Sequence, residues 1–188
     1  GLSILVTKSS EAIGSWTATD SDPSVVGYEG MIAEARLQIT DEVAGTGGYV
    51  GPIFGVGVNV GANSRVVSVE FALSPARVIL TNGTGTSVLS SAFDWNDGEI
   101  HSYRIVCDPL ADAVSLIIDD NYMGVTDLSL FPSNVSTVFR MFFGNRGDGS
   151  CVQRWYSLNS ISLRPIALSG QNIDRTFGLW LGSDVDDI

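Results

Sequence analysis

The sequence predicts an all-β chain folded as an antiparallel β-sandwich. Three observations carry this expectation. Apolar and polar residues alternate with a period of two along much of the chain, as strands with one dry face require. Glycine is abundant, at 21 of 188 residues, which suits many short strands joined by tight turns and would weaken long helices. No stretch shows the 3.6-residue periodicity of a long amphipathic helix. Apolar residues make up 44% of the chain, enough to fill a sizeable core and to argue against disorder.

The elements follow in order. Ser10 to Asp22 reads as loop with a brief strand around Trp16. In 31–39, Met31, Ala33, Ala35, Leu37 and Ile39 share one face, while Glu34, Arg36 and Gln38 share the other. Tyr49 to Val60 is rich in Val and Gly and reads as a strand with bends. Arg65 to Ala72 alternates again, and Ala76 to Thr81 follows the Ser74-Pro75 turn. Asn82-Gly83 is a hairpin signal, because both residues tolerate positive φ. His101 to Cys107 puts His101, Tyr103, Ile105 and Cys107 on one face and Ser102, Arg104 and Val106 on the other. Val114 to Asp119 and Tyr122 to Val125 form a hairpin around Asp119-Asp120-Asn121. A short helical turn is expected near Asp127 to Phe131, then strands at Val138 to Phe143 and Val152 to Leu163. Residues 1–165 are expected to form the sandwich, and 166–188 a C-terminal extension, either a strand on the same domain or a connector.

Charge narrows the partners. The formal net charge is −11, from 21 acidic and 10 basic residues, and lysine occurs once, at Lys8. Such a surface repels phosphate backbones and anionic membranes, so no nucleic acid is expected. No apolar run is long enough for insertion into a bilayer as a helix. The chain is read as an excised piece of a longer protein. Two cysteines, Cys107 and Cys151, are too few for a disulfide framework. They are compatible with one bridge or with free core thiols.

The segment Asp94-Trp95-Asn96-Asp97-Gly98-Glu99-Ile100-His101-Ser102-Tyr103-Arg104-Ile105 resembles the concanavalin A-like lectin/glucanase superfamily, in particular its laminin-G-like and pentraxin-like branch. Its motif runs Trp, Asp-Gly, then His-x-Tyr-x-hydrophobic, followed by a strand ending in Asp-Gly and a return strand. The second part is Val114 to Val125 here, with Asp120 in place of the usual glycine, which leaves the turn type open. Glu34 to Leu37, Phe142-Phe143-Gly144 and Trp155-Tyr156 resemble other strands of the family. The resemblance spans about residues 10 to 165 and implies a jelly-roll sandwich. It implies function only weakly, because that fold serves lectins, adhesion modules, enzymes and viral fibres alike.

Catalysis is not expected. His101 is the only histidine, and no G-x-S-x-G context offers a serine nucleophile. The Glu-x-Asp-x-x-Glu pattern of the family's glucanases is absent, and Glu34 reads as a salt-bridge partner of Arg36 or a neighbour. No cofactor is called for; if a metal is held it is calcium, with Asp119, Asp120 and Asp148 as ligand candidates in acidic turns. Solvated turn residues are the simpler reading of each. Sugar binding uses an exposed ring and planar polar side chains. The candidates are Arg36, Arg104, Arg154, Trp155 and Tyr156, with at most one of the last two buried, since they face opposite ways. The expected function is a non-catalytic carbohydrate-binding or adhesion module with a glycan or protein partner. The alternatives are a structural or assembly module of a viral particle or surface protein, where a homo-oligomer is expected, and then a polysaccharide-active enzyme. All suit an extracellular, cell-surface or virion setting.

Overall fold

A computed structural model describes residues 2–6, 12–16, 30–43, 48–60, 63–82, 87–131, 133–134, 141–145 and 150–163. Thirteen strands fill them. They are β1 (Leu2–Val6), β2 (Ala12–Trp16), β3 (Gly30–Val43), β4 (Tyr49–Val60), β5 (Asn63–Ala72), β6 (Arg77–Thr81) and β7 (Ser87–Ala92). There follow β8 (His101–Asp108), β9 (Ala113–Ile118), β10 (Asn121–Asp127), β11 (Ser133–Asn134), β12 (Met141–Asn145) and β13 (Ser150–Leu163). A 3-10 turn, Leu128–Leu130, falls inside the expected helical turn.

The strands form two antiparallel sheets. One has six strands in the order β1-β13-β3-β8-β9-β10. The other runs β2-β12-β4-β5-β6-β7, with β11 paired to β5. The expected antiparallel sandwich, with no long helix among the described residues, is the observed fold. Three strands were not expected, β1, β7 and the two-residue β11. Each is fixed by its partner, β13, β6 and β5.

Alternation decides what faces the interior. From β3, Met31, Ala33, Ala35, Leu37 and Ile39 point inward, and from β8 Tyr103, Ile105 and Cys107 do so. They meet Phe54, Val56 and Val58 of β4 and Val67, Val69 and Phe71 of β5. Trp95 closes one end of this core, fully buried, packed edge-on against Phe71 with the ring centroids 5.7 Å apart. Its indole N–H donates to the Ala72 carbonyl at 3.1 Å, satisfying the one polar atom that burial would otherwise strand. Both cysteines are buried and free, so the bridge left open by the sequence does not form.

The two outer faces differ. In the centre of the seven-stranded sheet both faces are buried: residues 51–58 of β4, 67–72 of β5 and 78–81 of β6 have no exposed side. Gly55 is packed so closely that a Cβ there would collide with the Val67 carbonyl and the Phe142 ring. Among the described residues, the outer face of the six-stranded sheet is the open sheet surface.

Candidate functional site

The open face is built from the residues of β3, β8 and β13 that alternate away from the core. Strand register sets its rows. Arg154 of β13 pairs with Gln38 of β3, and Ser157 pairs with Arg36, which in turn pairs with Ser102 of β8. In the next row Asn159 pairs with Glu34, Glu34 with Arg104, and Arg104 with Ile117 of β9. A bulge between Trp155 and Ser157 adds one residue to β13, and Tyr156 sits in it. Bulges re-aim side chains, and this one leaves Tyr156 outward and 43% exposed.

Gln38 is the hub. Its Oε1 accepts hydrogen bonds from Arg154 Nη1 at 3.1 Å and from the Tyr156 hydroxyl at 3.3 Å. Its Nε2 donates to the Gly98 carbonyl. Gly98 lies in the loop between Trp95 and His101 with φ 85°, left-handed backbone that favours glycine. The sequence motif around 94–105 therefore does structural work at the edge of this surface. It aims a carbonyl at the side chain that holds Arg154 and Tyr156.

The same loop is anchored by His101. The imidazole Nδ1 lies 2.7 Å from Asp119 Oδ2, and Nε2 lies 3.0 Å from Asp97 Oδ1. Burial alone would lower the imidazole pKa, but the hydrogen bonds to Asp119 and Asp97 outweigh it and raise it. Asp97 is held below the ordinary carboxylate range, first by the Glu99 backbone N–H and then by His101. Tyr103, one inward position further along β8, is pushed upward by burial among Phe71, Phe93 and His101.

Arg104 is already neutralised. Its Nε and Nη2 both lie 2.7 Å from Glu34 Oε2, and Nη1 lies 3.4 Å from Asp120 Oδ1. The Glu34 hydrogen bond, ahead of every opposing effect, raises the guanidinium pKa further. Glu34 thus pairs with Arg104 across the strands, the neighbour option expected for it, rather than with Arg36 on its own strand. Arg36 and Arg154 are exposed, and no carboxylate pairs with either among the described residues.

Four of the five candidate ligand residues, Arg36, Arg104, Arg154 and Tyr156, thus share one face. Trp155 does not join them. It pairs with Leu37 on the core side, is 5% exposed, and packs edge-on against Phe54 and Phe143. Its indole N–H donates to Gln153 Oε1 at 3.2 Å, so it offers no stacking surface. Gln38 was not among the candidates; its only sequence signal was its place beside Arg36 on the wetter face of β3.

The calcium candidates do not converge. Asp119 has both oxygens engaged, Oδ2 with His101 and Oδ1 with the Ser102 N–H at 2.8 Å. Asp120 points to solvent, its side chain 85% exposed beside Arg104. Asp148 lies outside the described residues. No group of three or more metal-ligating side chains is gathered among the described residues.

No protein-family model matches the chain, and no curated protein matches it in sequence. Solved structures similar to it include a lectin from Bauhinia forficata in complex with GalNAc, at 14% identity and TM-score 0.48, over 72% of this chain and 74% of that one. The carbohydrate-binding module CBM66 from Bacillus subtilis is similar at 12% identity and TM-score 0.42, over 80% and 77%. An alginate lyase is similar at 12% identity and TM-score 0.45, over 75% of this chain and 66% of that one, just under two thirds of its length. These likenesses concern the arrangement of strands. The finer resemblance to the laminin-G-like and pentraxin-like branch rests on the sequence motifs at 94–105 and 114–125 and not on these structures.

Proposed function

We propose that the chain is a non-catalytic glycan-binding module and that it binds through the open face of the six-stranded sheet. One observation carries this reading. An exposed tyrosine ring and two exposed guanidinium groups lie around Gln38, a side chain fixed at both ends, on the sheet face that is open. A ring to cover the apolar side of a sugar, with rigidly held donors and acceptors beside it, is the composition that recognises a polyol.

The absence of catalysis is supported by the same face. Glycosidases require one carboxylic acid and one carboxylate flanking the scissile bond. Glu34 and Asp120 instead flank Arg104, which takes both as ion-pair partners.

The test is a glycan array probed with the full chain, with and without calcium, followed by titration calorimetry on any hit. Tyr156→Ala should weaken binding at least about ten-fold, roughly 1.4 kcal/mol, with an unchanged melting temperature. Silence across the array, or a Tyr156→Ala variant that binds as tightly as the parent, overturns the proposal.

A further inference from the structure

We infer that the ligand of this face carries carboxylate groups: the site is built for an acidic glycan of the polyuronate class. The inference rests on the glycan-binding reading above and names the chemistry within it.

The argument is one of charge placement. The chain carries 21 acidic residues against 10 basic ones. In such a protein carboxylate partners are plentiful, and the half-buried Arg104 of this face has two, Glu34 at 2.7 Å and Asp120 at 3.4 Å. Arg65 is occupied otherwise, donating to the carbonyls of Ser129 and Phe131. Arg36 and Arg154 are different. Both are exposed, both are on the open face, and Arg154 is oriented by a neutral amide oxygen rather than an acid.

They are also neighbours. Arg154 sits opposite Gln38, and Arg36 is two residues further along the same strand. Diagonal positions of this kind lie about 7–8 Å apart at the backbone. Tyr156 projects from the bulge between them, with its hydroxyl on the same Gln38 oxygen that holds Arg154. Two guanidinium forks flanking a ring can engage carboxylates on successive sugars while the ring covers the sugar between. The planar fork matches a carboxylate with two parallel hydrogen bonds, a geometry a hydroxyl cannot supply.

The rest of the surface argues that this binding is local. A net charge of −11 repels a polyanion at long range. Attraction must come from groups within about a Debye length, 8–10 Å at ordinary ionic strength. The Arg36–Arg154 pair meets that condition.

The experiment measures binding of the full chain to polygalacturonate, alginate and hyaluronan, to methyl-esterified polygalacturonate, and to dextran sulfate. At least one polyuronate should bind, with affinity falling ten-fold or more between 50 and 500 mM salt. Esterification, which removes the charge and keeps the backbone, should weaken binding by the same order. Arg36→Gln with Arg154→Gln should abolish it, and Arg77→Gln, an exposed arginine on the other sheet, should leave it unchanged. Melting temperatures of all variants confirm folding. Equal binding of the esterified polymer, or of neutral glycans alone, overturns this inference and leaves the glycan-binding reading standing. Dextran sulfate bound as tightly as the polyuronates overturns the carboxylate assignment. An array on which no glycan binds overturns the underlying reading instead.

Discussion

Asp119 and Asp120 both hold left-handed backbone, at φ 48° and 61°, in the two-residue link between Ile118 and Asn121. Two positive φ values make this the type I′ turn whose twist matches the flanking strands. The turn type left open by the missing glycine is thus the usual hairpin turn, formed by a costlier residue. Asp119 is compensated by its bonds to His101 and Ser102. Asp120 has only its solvent-exposed pair with Arg104, a class of contact that contributes about 0–1 kcal/mol. Asp120→Gly should therefore stabilise the fold by roughly 0.5–1 kcal/mol, read as a higher denaturation midpoint at unchanged slope. A lower midpoint would show that the Arg104 pair outweighs the backbone strain. The site was only partly legible at this scale. Sequence parity places Trp155 and Tyr156 on opposite faces but not which is inside; pairing of Trp155 with Leu37 decides that. The role of Gln38 depends on Gly98, sixty positions away in sequence, and no local pattern announces it.

At the scale of elements, His101 joins three pieces: the start of β8, the loop after Trp95, and the turn between β9 and β10. Its pKa is raised above 6.5, because the bonds to Asp119 and Asp97 outweigh burial. A group raised in the folded state stabilises fully below its unfolded value and loses that contribution as pH rises through the folded one. Asp97 runs the other way. It is lowered from 3.8, so its contribution is present above that value and fades as pH falls through its folded pKa. The clamp is therefore strongest between 3.8 and 6.5. His101→Gln should show its largest melting-temperature deficit in that window and a shrinking deficit on the alkaline side. Thermal melts of both proteins from pH 4 to 9 measure this. A deficit independent of pH would mean that His101 acts only by packing against Phe93, 4.8 Å away. Strands of this kind, such as β3, β8 and β9, were readable because one face is dry and the other wet. β7 was not, since Ser87-Val88-Leu89-Ser90-Ser91-Ala92 alternates poorly and owes its state to β6. β1 pairs with β13, at the opposite end of the described chain, and its five residues carry no signal of that.

For the molecule as a whole, the central strand β3 acts as a ruler that separates the two thiols. Cys107 is the residue paired with Met31, at one end of β3, and Cys151 lies between the partners of Thr40 and Val43, at the other. About ten residues of strand, on the order of 30 Å, lie between those points, and a disulfide needs its Cα atoms within about 7 Å. The bridge is therefore excluded by geometry, whatever the redox compartment. Burial also suppresses the reactive thiolate. It pushes Cys107 well above the ordinary thiol range and Cys151 up to about 11. In the native protein a thiol reagent should thus react only through opening of the sandwich. Labelling with an aromatic disulfide should be negligible in buffer and reach both cysteines in guanidinium, and a reducing agent should leave the melting temperature unchanged. Cys107, on a central strand of the sheet, should label at the rate of global unfolding. Cys151 pairs with Val6 of the edge strand β1, so it should open first. Rapid labelling of Cys107 under native conditions, or a melting temperature that falls on reduction, would contradict a single closed core spanning both sheets.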